Sequence, residues 1–404
     1  MMNHFRRFVN YWKENGKKYA FRKAFDFVLN NLKIKNRLVN NNPVITGIVK
    51  EKALYGPELV QLDITNNCNN SCVGCWLHSP MLGEKKLEGE DKKQHISTQK
   101  ILNTISDLKA LKTQTILLSG GGEPFIHPDI KKVVEHIRKN GLREIIITNF
   151  NLVSKKDIDK MVELKVNELL ISLWAATPET YVKTHPNQTE KSFRKVVENI
   201  EYLMKKIRDR NVPKVRLLNV INNRNYHELS DMIMLGEKLK VPEIEFTLID
   251  TIKGKTDSLL LSEQQRKELQ KQIDSYKANN RTEVFGLDRF KTRLKDKKME
   301  KGYYDEKLVD SIPCYAGFSY ARIMADGRVI PCCKAAKHPL GNINEKSFKE
   351  IWFSENYEKF RFMAKNEKKS HPYFKKINCY KGCDNYIENK RIHETIVNLS
   401  GRKR

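Results

Sequence analysis

What this 404-residue sequence lacks narrows its class before any motif is considered. No window approaches the length of apolar run that a bilayer requires, so the chain offers no membrane span. Its start, MMNHFRRFVNYWKENGKKYA, has neither the apolar core nor the small-residue cleavage site of a secretory leader, and a cytoplasmic location is the expectation. Acidic residues are scarce: 49 Asp and Glu stand against 75 Lys and Arg, a net charge of +26. A surplus of that size is common in proteins that bind nucleic acids or anionic membranes. Here it is spread over the helices and both termini, with no arginine-rich tract, no single basic block and no nucleic-acid motif. It reads first as solvated surface, with an anionic partner as the alternative.

What is present begins with eight cysteines. In a reducing compartment these read as metal or redox sites rather than disulfides. Three of them, Cys68, Cys72 and Cys75, form CNNSCVGC with C-x3-C-x2-C spacing, directly after an apolar strand VQLDIT. Three thiolates on one loop can hold three corners of a four-iron cube, which normally takes four protein ligands, so one iron is left open for chemistry. The competing readings are half of a disulfide framework or a zinc knuckle with His78 as fourth ligand. Zinc, however, favours four ligands in paired C-x2-C units.

The hydrophobic content of 39% is ample for a large core and an accessory domain. Residues 1–55 read as a basic helical extension, with Phe21, Phe25, Val28 and Leu32 at helical spacing. Such a helix packs on its own domain or makes a peripheral contact with an anionic membrane. From 56 to 255 the pattern is strand then helix, repeated. The strands VQLDIT, TILLSG, EIIITN, ELLISLW, KVRLLNVI and EIEFTLID alternate with amphipathic stretches. This predicts an α/β fold, a partial (β/α)6 TIM-like barrel with right-handed crossovers and its chemistry on the loops at the carboxyl ends of the strands. Residues 256–310 read as a helical connector, 311–390 as a small cysteine-bearing domain with a hairpin turned at Asp326-Gly327, and 391–404 as a basic tail. The loop after the second strand, SGGGEPFIHP, strings together Gly120, Gly121 and Gly122 before Glu123 and Pro124, which lets backbone groups approach a ligand closely.

The cysteine spacing after the first strand, followed one unit later by GGEP, resembles the radical S-adenosylmethionine (SAM) enzymes. The resemblance implies that the open iron chelates SAM, that an electron from the reduced cluster splits it to a 5'-deoxyadenosyl radical, and that this radical abstracts a hydrogen atom from an unreactive carbon. It further implies cofactor contacts from Gly120, Gly121, Gly122 and Glu123, and from Asn149 in the third-strand ending ITNFN, where Phe150 replaces the family's glycine. Ser172 at the end of the fourth strand and Asn219 on the fifth are further candidates, with Arg216 on the opposite face from Asn219. The family's aromatic residue before the third cysteine is here Gly74, and Trp76 is the expected substitute beside the adenine. Farther on, Cys314, Cys332, Cys333, Cys379 and Cys383, with LGNINEKSFKEIW between them, resemble the auxiliary-cluster domain called SPASM or its shorter form, twitch. In that resemblance Cys314, Cys332, Cys379 and Cys383 ligate a second 4Fe-4S cluster, although Cys332 and Cys333 can exchange roles, and a four-cysteine zinc ribbon is the alternative.

A fully ligated auxiliary cluster suits electron acceptance. The leading expectation is a hydrogen-abstracting, oxidoreductase-like enzyme acting on a small polar metabolite of sugar or aminocyclitol type, with a flavodoxin- or ferredoxin-like electron donor. The alternatives are a maturase of a ribosomally made peptide, and a non-catalytic iron-sulfur or zinc protein.

Overall fold

Runs of Val, Ile and Leu broken at regular intervals by amphipathic stretches leave the chain little choice: each strand must be covered on its outer face by the helix that follows it. In the computed structural model, which describes residues 42–399 except 209–211, 277–281 and 380, the six expected strands are β1 (Leu59–Leu62), β2 (Thr115–Leu118), β3 (Arg143–Thr148), β4 (Glu168–Ser172), β5 (Lys214–Ile221) and β6 (Glu243–Leu248). All pair in parallel with their neighbours in chain order. The covering helices are α1 (Thr98–Ala110), α2 (Ile130–Lys139), α3 (Lys155–Glu163), α4 (Glu190–Ile207) and α5 (Leu229–Lys238). The predicted helix carrying Phe21, Phe25, Val28 and Leu32 lies outside the described residues.

The sheet is larger than six strands. A short strand β7 (Glu283–Phe285) extends it beyond β6, inside the stretch expected to be a helical connector. At the other edge β8 (Tyr320–Ile323) pairs in parallel with β1, followed by the antiparallel β9 (Arg328–Ile330) and β10 (Gly341–Asn342). The Asp326-Gly327 hairpin thus belongs to one ten-stranded sheet that runs from the barrel into the C-terminal domain. The expected tail also differs: Tyr386–Leu399 is a helix, and its Ile392 packs with Val44, Ile48, Tyr315 and Phe318.

Alternation along the strands separates two environments. Ile146, Ile171, Leu217, Ile221 and Ile244 are fully buried with helix residues such as Ile105, Val133, Ile158 and Val196. Each such side chain is worth about 1.5–3 kcal/mol of burial. The intervening residues Ile147, Ser172, Val220 and Thr247 are only half buried because they face the barrel lumen and line its cavity.

One core residue breaks the pattern. Glu144, at the start of β3, is fully buried and neither carboxylate oxygen has a partner among the described residues. Burial pushes its carboxyl up to about 8, against the opposing pull of Arg138. A carboxyl raised in the folded state favours folding below its unfolded value of 4.5 and loses that contribution as pH rises through about 8. Glu144→Gln should therefore be more stable than the parent at pH 8, by on the order of a few kcal/mol, with the gap closing toward pH 4.5; thermal melts across that range check it.

Candidate functional site

The loop after β1 is tied down from several sides. Cys68 Sγ accepts from the backbone N–H of Asn70 at 3.4 Å, and Cys75 Sγ from those of Leu77 and His78 at 3.4 and 3.3 Å. The Asn69 carbonyl accepts from the side-chain amides of Asn187 (2.7 Å) and Gln188 (2.8 Å), while Asn187 Oδ1 accepts from the Ser71 N–H at 2.7 Å. Val73 is sealed beneath Ile249 and Leu259, and its N–H donates to the Thr184 carbonyl at 3.0 Å. Burial pushes the Cys68 thiol up to about 12 and the Cys72 and Cys75 thiols up as well, with Cys68 and Cys75 both raising Cys72. Thiols held in this way ionise when a cation is supplied to them, the condition met by a bound metal cluster.

The loop after β2 presses directly on this one. Gly120 has φ +120°, and a Cβ there would overlap the Asp63 carboxylate; on Gly122 it would stand 2.6 Å from the Asn67 carbonyl carbon. Only a residue without a side chain fits Gly120. The Glu123 N–H donates to the Asn67 carbonyl at 2.8 Å. The Glu123 carboxylate turns inward and accepts from Thr148 Oγ1 (2.7 Å), the Asn149 N–H (2.7 Å) and the Phe125 N–H (3.2 Å), so it braces β2 to the end of β3. Burial raises this carboxyl to about 7 in spite of those three donors. Beneath Gly120, Asp63 is fully buried and paired with Arg322 of β8 (2.6 Å), and it also accepts from Gln61 at 3.0 Å.

These loops enclose a cavity of about 360 Å³ at the carboxyl ends of the strands. Cys68, Cys72, Cys75, the three glycines, Glu123, Asn149, Ser172 and Trp76 all line it. A larger groove of about 1100 Å³ lies on the C-terminal domain and has no cysteine among its lining residues, so size alone does not select the site. Asn149 Nδ2 donates to Asn69 Oδ1 at 2.8 Å and stands 4.0 Å from Cys68 Sγ. The Trp76 Nε1–H donates to the Asp250 carbonyl at 2.7 Å, and one ring face lies under the Lys334 ammonium, itself paired with the Asp250 carboxylate. Asn219 stands apart. On β5 it shares the helix-facing parity of Leu217 and Ile221, so Val220 lines the lumen and Asn219 Oδ1 instead accepts from the Trp174 N–H at 2.9 Å. Arg216, on the lumen parity, pairs with Glu243 and Glu245 and stacks 3.5 Å over Phe285 of β7. Asn187, Gln188, Asp63, Trp174 and the Lys334–Asp250 pair carry no sequence signal; they are isolated polar or aromatic residues brought in by the topology.

The other thiols gather in the C-terminal domain. Cys314, Cys332 and Cys379 pack against one apolar cluster of Phe360, Ala364, Phe374 and Ile377. Burial, then Cys379, Cys314, Cys333 and Cys383, hold the Cys332 thiol far above its usual range; burial and the thiols of Cys314 and Cys379 do the same to Cys383. Cys333 turns the other way: its Sγ lies 3.4 Å from Tyr320 Oη and 3.8 Å from Gln61 Oε1. Among the described residues no three His, Cys, Asp or Glu side chains are grouped tightly enough to hold a single metal ion. Buried thiols, backbone N–H groups aimed at sulfur and a glycine loop with no side chains in the way fit an iron-sulfur cluster and an adjoining ligand.

Comparison with known proteins agrees. Residues 62–236 match the radical SAM superfamily and residues 314–384 an iron-sulfur cluster-binding domain, SPASM. The chain is 26% identical to an AdoMet-dependent heme synthase of Methanosarcina barkeri, over 76% of this chain and 84% of that protein. It is 23% identical to a tungsten-containing aldehyde ferredoxin oxidoreductase cofactor-modifying protein of Pyrococcus furiosus, over 76% and 83%. The fold is similar to that of Streptococcus suis SuiB bound to SAM, with a TM-score of 0.56, 15% identity and coverage of 76% and 68%. It is also similar to anSMEcpe with bound AdoMet, with a TM-score of 0.57, 16% identity and coverage of 85% and 97%. Its cofactors are thus SAM and 4Fe-4S clusters, and the chain belongs to the radical SAM superfamily of enzymes, with a C-terminal SPASM domain.

Proposed function

We propose that Cys68, Cys72 and Cys75 hold a four-iron cluster with one open iron for SAM, and that Cys314, Cys332, Cys379 and Cys383 hold the auxiliary cluster. The observation that carries this is the convergence of the first three thiols with the bare glycine backbone on one cavity at the mouth of the barrel. When bound, the reduced cluster and SAM together supply a 5'-deoxyadenosyl radical for hydrogen abstraction. This chain's residues do the rest. The Gly120, Gly121 and Gly122 backbone, with Asn149 and Ser172, orients SAM; Glu123 fixes the glycine loop against β3; Trp76, held by Asp250 and Lys334, forms the rim. Cys333, facing Tyr320 and Gln61, is the spare thiol.

The substrate favoured is a small polar metabolite of sugar or aminocyclitol type, oxidised with the auxiliary cluster as electron acceptor and a flavodoxin- or ferredoxin-like protein as donor. A cavity of about 360 Å³, near the lower end of the ~300–1,000 Å³ of ligand pockets, and a polar rim of Thr247, Asp250, Arg293 and Asp384 support it. A second reading is a peptide maturase, since SuiB and anSMEcpe are both known in complex with peptides.

Anoxic reconstitution with dithionite and SAM, followed by assay of 5'-deoxyadenosine, tests the chemistry. Cys68→Ala should abolish the product, whereas Cys379→Ala should spare part of it while stopping substrate turnover; equal loss in both contradicts the division of labour. Supplying a deuterated cell extract, split by ultrafiltration into small molecules and polypeptides, separates the two substrate readings by which fraction delivers deuterium to 5'-deoxyadenosine. Iron analysis should show that Cys332→Ala loses the auxiliary cluster while Cys333→Ala keeps the parent's full iron content.

A further inference from the structure

The four thiols assigned to the auxiliary cluster lie between two openings. On one side Gly382 and Asp384, the neighbours of Cys383, line the barrel cavity. On the other, Cys314, Cys332 and Cys379 share one apolar cluster with Leu340, Phe360, Met363 and Tyr373, and these four side chains also line the groove of about 1100 Å³ on the C-terminal domain. The helix Glu355–Asn366, which supplies Phe360 and Met363, is tied to the first of those thiols through its backbone: the Cys314 N–H donates to the Ala364 carbonyl at 3.1 Å. Tyr373 reaches from the groove to the thiols, since burial and then Cys332, Cys314 and Cys379 hold its phenol above the ordinary range.

Around this apolar floor the groove is basic. Lys337, Lys359 and Lys368, all exposed, line it against one acidic residue, Glu367. Lys359 also meets Glu355 at 2.9 Å, an exposed ion pair of the weak kind that yields to a competing carboxylate. An apolar patch ringed by charge of one sign suits the weak, fast encounters of electron-transfer proteins: charge steers the approach, and a small apolar contact lets the pair part again.

We propose that this groove is the docking surface for an acidic one-electron carrier protein of the flavodoxin or ferredoxin class, which takes up there the electron that leaves the substrate. The proposal rests on the assignment of the auxiliary cluster to Cys314, Cys332, Cys379 and Cys383. Of the two electrons and two protons a substrate loses on oxidation, one of each departs in the abstracted hydrogen atom, the second proton goes to water and the second electron reduces the carrier. Donor and acceptor are then one kind of protein, which gives up an electron for SAM cleavage and regains one at the groove.

Anoxic titration calorimetry of the full chain with oxidised, purified acidic flavodoxin tests the surface, and stopped-flow absorbance of its flavin tests the electron path. Flavodoxin should bind the parent at low salt and weaken steeply as salt screens the lysines. The triple variant Lys337→Glu, Lys359→Glu, Lys368→Glu should bind about 10- to 100-fold more weakly and lose most of the salt dependence, while Glu367→Lys should bind more tightly than the parent. Neither should alter dithionite-driven 5'-deoxyadenosine formation. After pre-reduction and removal of dithionite, the parent should convert the flavin to its semiquinone, and the triple variant should do so at least about tenfold more slowly at equal low concentration. Iron content equal to the parent's establishes that each variant is loaded.

Unchanged flavodoxin binding or flavin reduction in the triple variant overturns the docking surface alone. So does a DNA duplex that binds the parent more tightly than flavodoxin and is lost in the same variant, which assigns the lysines to nucleic acid. A lowered melting temperature with flavodoxin binding unmoved assigns the groove to another part of this chain and overturns the proposal as well. Iron for a single cluster in the parent overturns the auxiliary assignment and the electron path together, and is read independently of flavodoxin binding.

Discussion

Thiols buried beside one another cannot ionise without a cation among them, and much of the architecture answers to that constraint. Around Cys68, Cys72 and Cys75 the described residues supply backbone N–H groups and neutral amides, with no lysine or arginine among them hydrogen-bonded to a sulfur. The missing positive charge is what an iron-sulfur cluster brings, and metal binding then couples to the deprotonation and ordering of the loop. The same holds in the C-terminal domain, where burial and the neighbouring thiols of Cys314 and Cys379 push the Cys332 and Cys383 thiols up beside an apolar wall.

The barrel turns that constraint into a site by parity. Strands β3 to β6 give apolar helix-facing residues to the core and lumen-facing residues to the cavity, and the loops that follow β1, β2, β3, β4 and β6 reach that common volume. Packing of the glycine loop on the cysteine loop, with Asp63 directly beneath Gly120 and Glu123 anchored to β3, holds three consecutive strand ends in register. Neither Asp63 nor Glu123 needs to touch a ligand for that work.

Much of this was readable in the sequence where local pattern and global fold agree. C-x3-C-x2-C, the GGEP loop and six apolar strands are short-range signals, and each appears where expected. Residues that depend on tertiary placement were not readable. Position on β5 alone points Asn219 toward a ligand, yet strand parity turns it outward to hold Trp174. β7 spans three residues in a polar stretch without periodicity, too short to stand out. Residues 391–404 read as a basic tail from their charge, and only the contact of Ile392 with Val44 and Ile48 reveals the buried side of the helix Tyr386–Leu399. Cys332 and Cys333 are interchangeable on spacing; in the fold Cys332 packs with Cys314 and Cys379 on one apolar cluster, whereas Cys333 begins a short helical turn with its Sγ 3.4 Å from Tyr320 Oη.

The parallel pairing of β8 with β1 has a mechanical consequence. Both cysteine groups are rooted in a single hydrogen-bonded sheet, with Asp63 and Arg322 clamping the seam. Adjacent strands in such a sheet stay roughly 4.8 Å apart, so the C-terminal domain has no hinge at this seam about which to swing from the barrel. The distance between the loop that carries Cys68 and the strand pair that leads to Cys332 is therefore set by sheet geometry rather than by a linker.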